Sequence, residues 1–108
     1  MTKGEPLVVF VTASSMEEAE ALASALLEAR AAACVSILPG VESRFWWEGR
    51  IDSAREVLLV IKTLKEVYPT VERTVTACHS YKVPEILALP VVKGHLPYLS
   101  WIMDNVER

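Results

Sequence analysis

Basic tracts, a cysteine framework and long apolar runs are all missing from this 108-residue chain, and each absence closes off a class of function. Eleven Lys and Arg against fourteen Asp and Glu leave a net charge of −3. No basic cluster is available to neutralise a phosphate backbone, so nucleic-acid binding is disfavoured. The N-terminal MTKGEPLVVFVT has only five consecutive apolar residues before Thr12. That is too few for a signal-peptide core or a membrane span, and it makes the cytoplasm the default location. The two cysteines, Cys34 and Cys78, form no C-x-x-C pair. Structural zinc is not indicated; a mutual disulfide stays open, but reduced thiols suit a chain with no export signal better. Catalytic signatures are missing as well: the chain has no Gly-rich phosphate loop, no H-E-x-x-H and no G-x-S-x-G. Binding is therefore expected ahead of catalysis, and no enzyme is predicted.

What the chain has in excess is apolar residues, 52% of the total against 23% charged. A chain of this length buries only roughly 60–70% of the surface its unfolded form exposes, so part of that excess points to a partner surface.

The pattern along the chain divides residues 1–108 into the elements of one domain. Leu7-Val8-Val9-Phe10-Val11 is a strand run, and Ser14/Glu17 and Ser15/Glu18 both match a capping box, so a helix is expected over 15–31. Its apolar face is Ala19, Leu22, Ala23, Leu26 and Leu27. Residues 33–47 read as a long strand bent at Pro39-Gly40. Glu48-Gly49-Arg50 turns it, and Glu56–Thr63 is the return strand of a hairpin. A second helix spans 67–79, with Pro69 in its first turn. Pro84 helps to end that helix before a strand over 85–92, and a short helix follows over 95–106. The order βαββαβ predicts an α+β, ferredoxin-like sandwich with a long bent hairpin and a C-terminal helix.

The strands are apolar on both faces: Val57, Leu59 and Ile61 on one, Leu58 and Val60 on the other. Both crossover helices lie on one face, so the other is predicted to associate with further copies; cover by the C-terminal helix is the competing reading. The same topology predicts one rim that gathers Thr12, Trp47, Glu48, His79, Tyr81 and Glu85, with the helix N-terminus at Ser14-Ser15 beside it. Lys62 and Lys93 fall at the opposite end, able to reach a rim only across a subunit boundary.

Residues 78–85, CHSYKVPE, place a thiol beside an imidazole, which suggests a soft-metal site. Side chains at i and i+1 of a helix diverge by about 100°, however, and chelate one ion poorly. Cys78 also continues the Val71, Thr74, Val75 stripe of the second helix, so a packed core position is expected for it. Phe45-Trp46-Trp47 reads more as packing than as recognition.

Four stretches, AAACVSILPGVESRFWWEGRI (31–51), EVLLVIKT (56–63), HSYKVPEILALPVVKG (79–94) and YLSWI (98–102), resemble the CutA divalent-cation tolerance family. That resemblance implies a ferredoxin-like homotrimer with sheets around a threefold axis and ligands in clefts between subunits. Carried over, the cleft residues are Trp47, Glu48, Lys62, His79, Tyr81 and Glu85. The family's proposed copper site of two adjacent imidazoles and a strand-end cysteine falls on Cys78, His79 and Val11, of which only His79 is the family's residue. The resemblance implies a cytoplasmic homotrimer in divalent-cation tolerance, copper among the candidate ions, with a metal pair at His79 and Cys78. The alternative is a regulatory or scaffold trimer like the PII proteins, sensing a small anion or a partner protein. An acylphosphatase-like hydrolase would need an arginine-bearing loop where Thr12-Ala13-Ser14-Ser15 stands.

Overall fold

A computed structural model describes residues 4–108. In chain order the elements are β1 (Pro6–Ala13), α1 (Met16–Glu28), β2 (Cys34–Trp47), β3 (Arg50–Leu64), α2 (Tyr68–Cys78), β4 (Ile86–Pro90) and α3 (Leu96–Asn105). A short 3-10 turn, Lys65–Val67, leads into α2. The four strands form one antiparallel sheet in the order β2-β3-β1-β4. This is the ferredoxin-like arrangement the element order predicts.

Local chemistry sets the boundaries. The Ser15 hydroxyl caps α1 by accepting the Glu18 N–H at 3.1 Å, and Pro69 occupies the first turn of α2, where its missing N–H is not needed. The β2–β3 ladder slips between Leu38 and Val41, the bulge expected of Pro39-Gly40; Gly40 takes a φ of 79° that a larger residue would resist. At the tip, Trp47 faces Arg50 across the two-residue turn Glu48-Gly49. Both turn residues hold positive φ, 50° and 79°, which matches the twist of the flanking strands.

One face of the sheet carries the core. Val9, Val11, Leu59 and Ile61 are fully buried against Ala19, Leu22 and Leu26 of α1 and Val71 and Val75 of α2. Each enclosed Val or Leu contributes about 1.5–3 kcal/mol relative to leaving it in water. Ile102 and Val106 join this same core, with Leu99 and Met103 beside them. Through Ile102 the C-terminal helix therefore joins the core on the helix side, while its Leu96, Tyr98 and Trp101 stay exposed. That settles against it as the cover of the opposite face, where Val8, Phe10, Leu58 and Val60 are only half-buried and Leu38, Leu87 and Leu89 are exposed.

The hairpin outruns the rest of the sheet. β1 pairs with β3 only from Leu64 to Val57, whereas β2 follows β3 on to Arg50. The last segment is a two-stranded ribbon, and the molecule measures 50 × 26 × 21 Å.

Candidate functional site

The β1–β3 pairing ends at Ala13↔Val57, and at this end the α1 N-terminus and the α2–β4 junction meet. Glu18 ties them together. Its Oε1 accepts the Ser14 N–H at 2.8 Å and the Ser14 hydroxyl at 2.9 Å, while its Oε2 accepts the Ser80 N–H at 2.6 Å. Burial alone would raise the Glu18 carboxyl, but the donors from Ser14 and Ser80 outweigh it and lower the group to about 2. The capping pattern identified Glu18 as a helix-start residue. Its second attachment, to residue 80, spans 62 positions and leaves no trace in local sequence.

His79 sits beneath this clamp with its side chain fully enclosed. Its Nε2–H donates to the Thr12 carbonyl at 2.7 Å, and its Nδ1 accepts the Tyr81 N–H at 3.0 Å. The partners thus assign the ring proton to Nε2. The Tyr81 ring lies 4.8 Å from the imidazole, and its hydroxyl donates to Glu56 Oε2 at 2.8 Å. Burial first, then the bond to Glu56 and the charges of Glu56 and Glu18, push the Tyr81 phenol up to about 12. Glu56 is itself buried. Glu85 is exposed as a residue, yet what burial its carboxyl has, together with the negative charge of Glu56, raises it above its ordinary value.

The rim expected from sequence is thus assembled in part. Thr12, His79, Tyr81 and Glu85 meet there, joined by Glu18, read from sequence only as a helix-capping residue, and by Glu56, which sequence reasoning did not single out. A glutamate on the half-buried face of β3 was the available signal for Glu56. Trp47 and Glu48 do not reach this cluster within their own chain. They lie six ladder positions past Glu56, about 20 Å along the ribbon, because β2 and β3 run to 14 and 15 residues while β1 has eight. Lys62 stands at the other end of the open face, donating to the Ser36 hydroxyl at 3.0 Å with its Nζ 4.0 Å from Cys34 Sγ. Lys93 is exposed beyond β4.

Cys78 corrects the sequence reading. It is exposed rather than packed, because α2 ends at this residue and His79 has already turned to extended geometry. A Cys78–His79 metal pair does not fit the donors present. Both imidazole nitrogens are engaged, and no group of three or more His, Cys, Asp or Glu side chains is placed to hold an ion among the described residues.

Fold and rim together define a small ferredoxin-like domain with an acidic, aromatic corner beside an uncovered apolar sheet face. The chain belongs to the CutA1 divalent ion tolerance protein family, whose sequence pattern matches residues 7–105. It is 46% identical over 99 residues to the divalent-cation tolerance protein CutA of Archaeoglobus fulgidus, covering 92% of this chain and 96% of that one. It is 41% identical over 102 residues to the chloroplastic protein CutA 1 of rice, covering 94% of this chain but 58% of the rice protein. The solved divalent cation tolerance protein of Thermus thermophilus superposes with a TM-score of 0.93 at 42% identity, covering 94% of this chain and 99% of the other.

Proposed function

We propose that this chain is a homotrimeric, non-enzymatic binding protein of divalent-cation tolerance, with its ligand held where the rim of one subunit meets a neighbour. The observation that carries this reading is the Glu56–Glu85 pair, in which burial and then the negative charge of Glu56 raise the Glu85 carboxyl, at the end of a sheet face that the described residues leave uncovered. A divalent cation relieves such repulsion, and carboxylate oxygens suit a hard or borderline cation better than a soft one. Copper is thus one ion to test among several. The ribbon tip, too distant from its own rim, would offer Trp47 and Glu48 to the next subunit and complete the ligand set. No described helix is long and apolar enough to cross a membrane, and a cytoplasmic location is part of the proposal.

Light scattering tests the assembly; a monomer at micromolar concentration would sink it. Calorimetric titration with Zn2+, Cu2+ and Mg2+ against wild type, Glu56→Gln and Glu85→Gln tests the cleft. Affinities unchanged in both variants would reject it.

A second reading, an anion sensor resembling the PII proteins, draws on Lys62, whose two hydrogen-bonding partners are both neutral. Phosphate-dependent thermal stabilisation that disappears in Lys62→Ala, with no response to metal, would favour it.

A further inference from the structure

The Lys62 amine and the Cys34 thiol face each other directly across β2 and β3, as Cα partners in the ladder, with Nζ 4.0 Å from Sγ. Directly opposed residues hold their Cβ atoms about 4.5–5.5 Å apart. Rotation about the terminal torsions of the lysine is therefore enough to bring nitrogen to sulfur. The competing anchor is a single hydrogen bond to the Ser36 hydroxyl, 3.0 Å from Nζ. Within its own chain Cys34 is half-buried rather than sealed in the core, so in the single subunit a water-sized oxidant has access. Both thiols are free, and Cys78 lies exposed at the end of α2.

From this juxtaposition we infer that Cys34 and Lys62 form a reversible covalent staple between β2 and β3 when the protein meets a hydroperoxide. In the first step Sγ attacks the peroxide, the O–O bond breaks, and the thiol becomes a sulfenic acid with release of one water or alcohol. Sulfur is oxidised by two electrons and the peroxide is reduced. In the second step the unprotonated Nζ attacks Sγ. The S–O bond breaks and water leaves, made of the sulfenic hydroxyl and a proton from nitrogen. The product is an S–N bond, a sulfenamide, which a thiol reductant opens to regenerate thiol and amine. A nearby amine diverts the sulfenic acid from irreversible oxidation to sulfinic acid. Both groups belong to one chain, so the bond needs no neighbour's residue; access for the oxidant in the assembled protein rests on the proposed cleft staying open at Lys62.

The test uses the full chain carrying Cys78→Ser, which removes the Cys34–Cys78 disulfide as an alternative. Treatment with hydrogen peroxide at mildly alkaline pH is expected to give a species lighter than the reduced protein by two hydrogens. Tandem mass spectrometry should find the peptides of Cys34 and Lys62 joined, and dithiothreitol should separate them. In Lys62→Arg, with its fold checked by circular dichroism, Cys34 should carry added oxygen and no link. Sulfinic acid at Cys34 without a linked peptide in the Lys62 protein would overturn the inference. So would a link that persists in Lys62→Arg, or a Cys34 that stays reduced while the methionines oxidise. The linked peptide from the lysine-bearing protein is diagnostic by itself should Lys62→Arg fail to fold.

Discussion

On the helix-covered face of the sheet Val9, Val11, Leu59 and Ile61 are fully enclosed, whereas Val8, Phe10, Leu58 and Val60, one residue along the same strands, remain half-buried. Both rows are built from large apolar residues. Their difference lies in what stands above them: α1, α2 and the Ile102–Val106 end of the chain on one side, and, among the described residues, no element of the core on the other. An apolar row without cover in its own chain is a demand for association, and the polar groups at its two ends, Glu56 and Lys62, mark where a neighbour's contacts would become chemical.

The sharpest way to break this contrast is to substitute adjacent residues of β3. Leu59→Ala removes a fully buried side chain and should cost about 2–5 kcal/mol of stability, read as a lower denaturation midpoint. Leu58→Lys should instead lower the mass seen by light scattering while the circular dichroism spectrum stays native. If Leu58→Lys leaves the mass unchanged, the open face is not an interface.

Next in size is the Glu18 clamp at the corner shared by both faces. Its carboxyl is lowered from 4.5 to about 2, so its stabilisation is complete above pH 4.5 and is lost as the pH falls through about 2. Glu18→Gln turns an amide N–H toward donors and should cost about 1–3 kcal/mol at neutral pH. Thermal melts at successive pH values should show the gap between wild type and variant closing on acidification. A gap independent of pH would mean that the carboxylate charge is not what holds Ser14 to Ser80.

Glu85 carries the opposite sign and a smaller effect. Its carboxyl is raised, so ionisation opposes folding, and the penalty is absent below the ordinary value and grows as the pH rises through the raised one. Glu85→Gln should raise the metal-free melting temperature at neutral pH, by an amount within about 0.5 kcal/mol, and leave it unchanged well below pH 4.5. The same variant should lose any stabilisation that wild type gains from a divalent cation. Unchanged melting at both pH values would remove the repulsion argument from the rim.

How much of this was legible in the sequence depended on the range of the interaction. The Ser15 cap, Pro69 in the first turn of α2, the bulge at Pro39-Gly40 and the turn at Glu48-Gly49 are local, and they fall where their side chains predict. Apolar character on both strand faces also pointed to a face needing cover, with the C-terminal helix left as a competing way to supply it. What stayed hidden depends on lengths and distant partners. Trp47 overshoots the rim because the hairpin strands exceed β1, a comparison that no single segment reveals. Cys78 keeps helical spacing with Val75 but sits on the final residue of α2, past the point where a neighbour covers the stripe. Glu18 and Glu56 look like surface glutamates until Ser80 and Tyr81 arrive from across the fold.

The smallest expected effects separate geometry from use at two positions that share a conformation. Arg30 and Glu48 are the non-glycine residues with positive φ among those described, at 57° and 50°. Arg30 closes α1: its N–H reaches the Leu27 carbonyl at 3.0 Å, and that of Ala31 reaches Leu26 at 2.9 Å, a pattern that favours glycine at the left-handed residue. Glycine relieves the left-handed strain but loses more chain entropy on folding, so Arg30→Gly should gain less than about 1 kcal/mol. Glu48→Gly should gain a similar amount in the melt for the same reason. The two part company in the assembled protein. If the ribbon tip serves a neighbour's cleft, Glu48→Gly weakens cation binding while Arg30→Gly leaves it intact. Equal titration curves for both would reduce Glu48 to a strained turn residue and return the cleft to Glu56 and Glu85 alone.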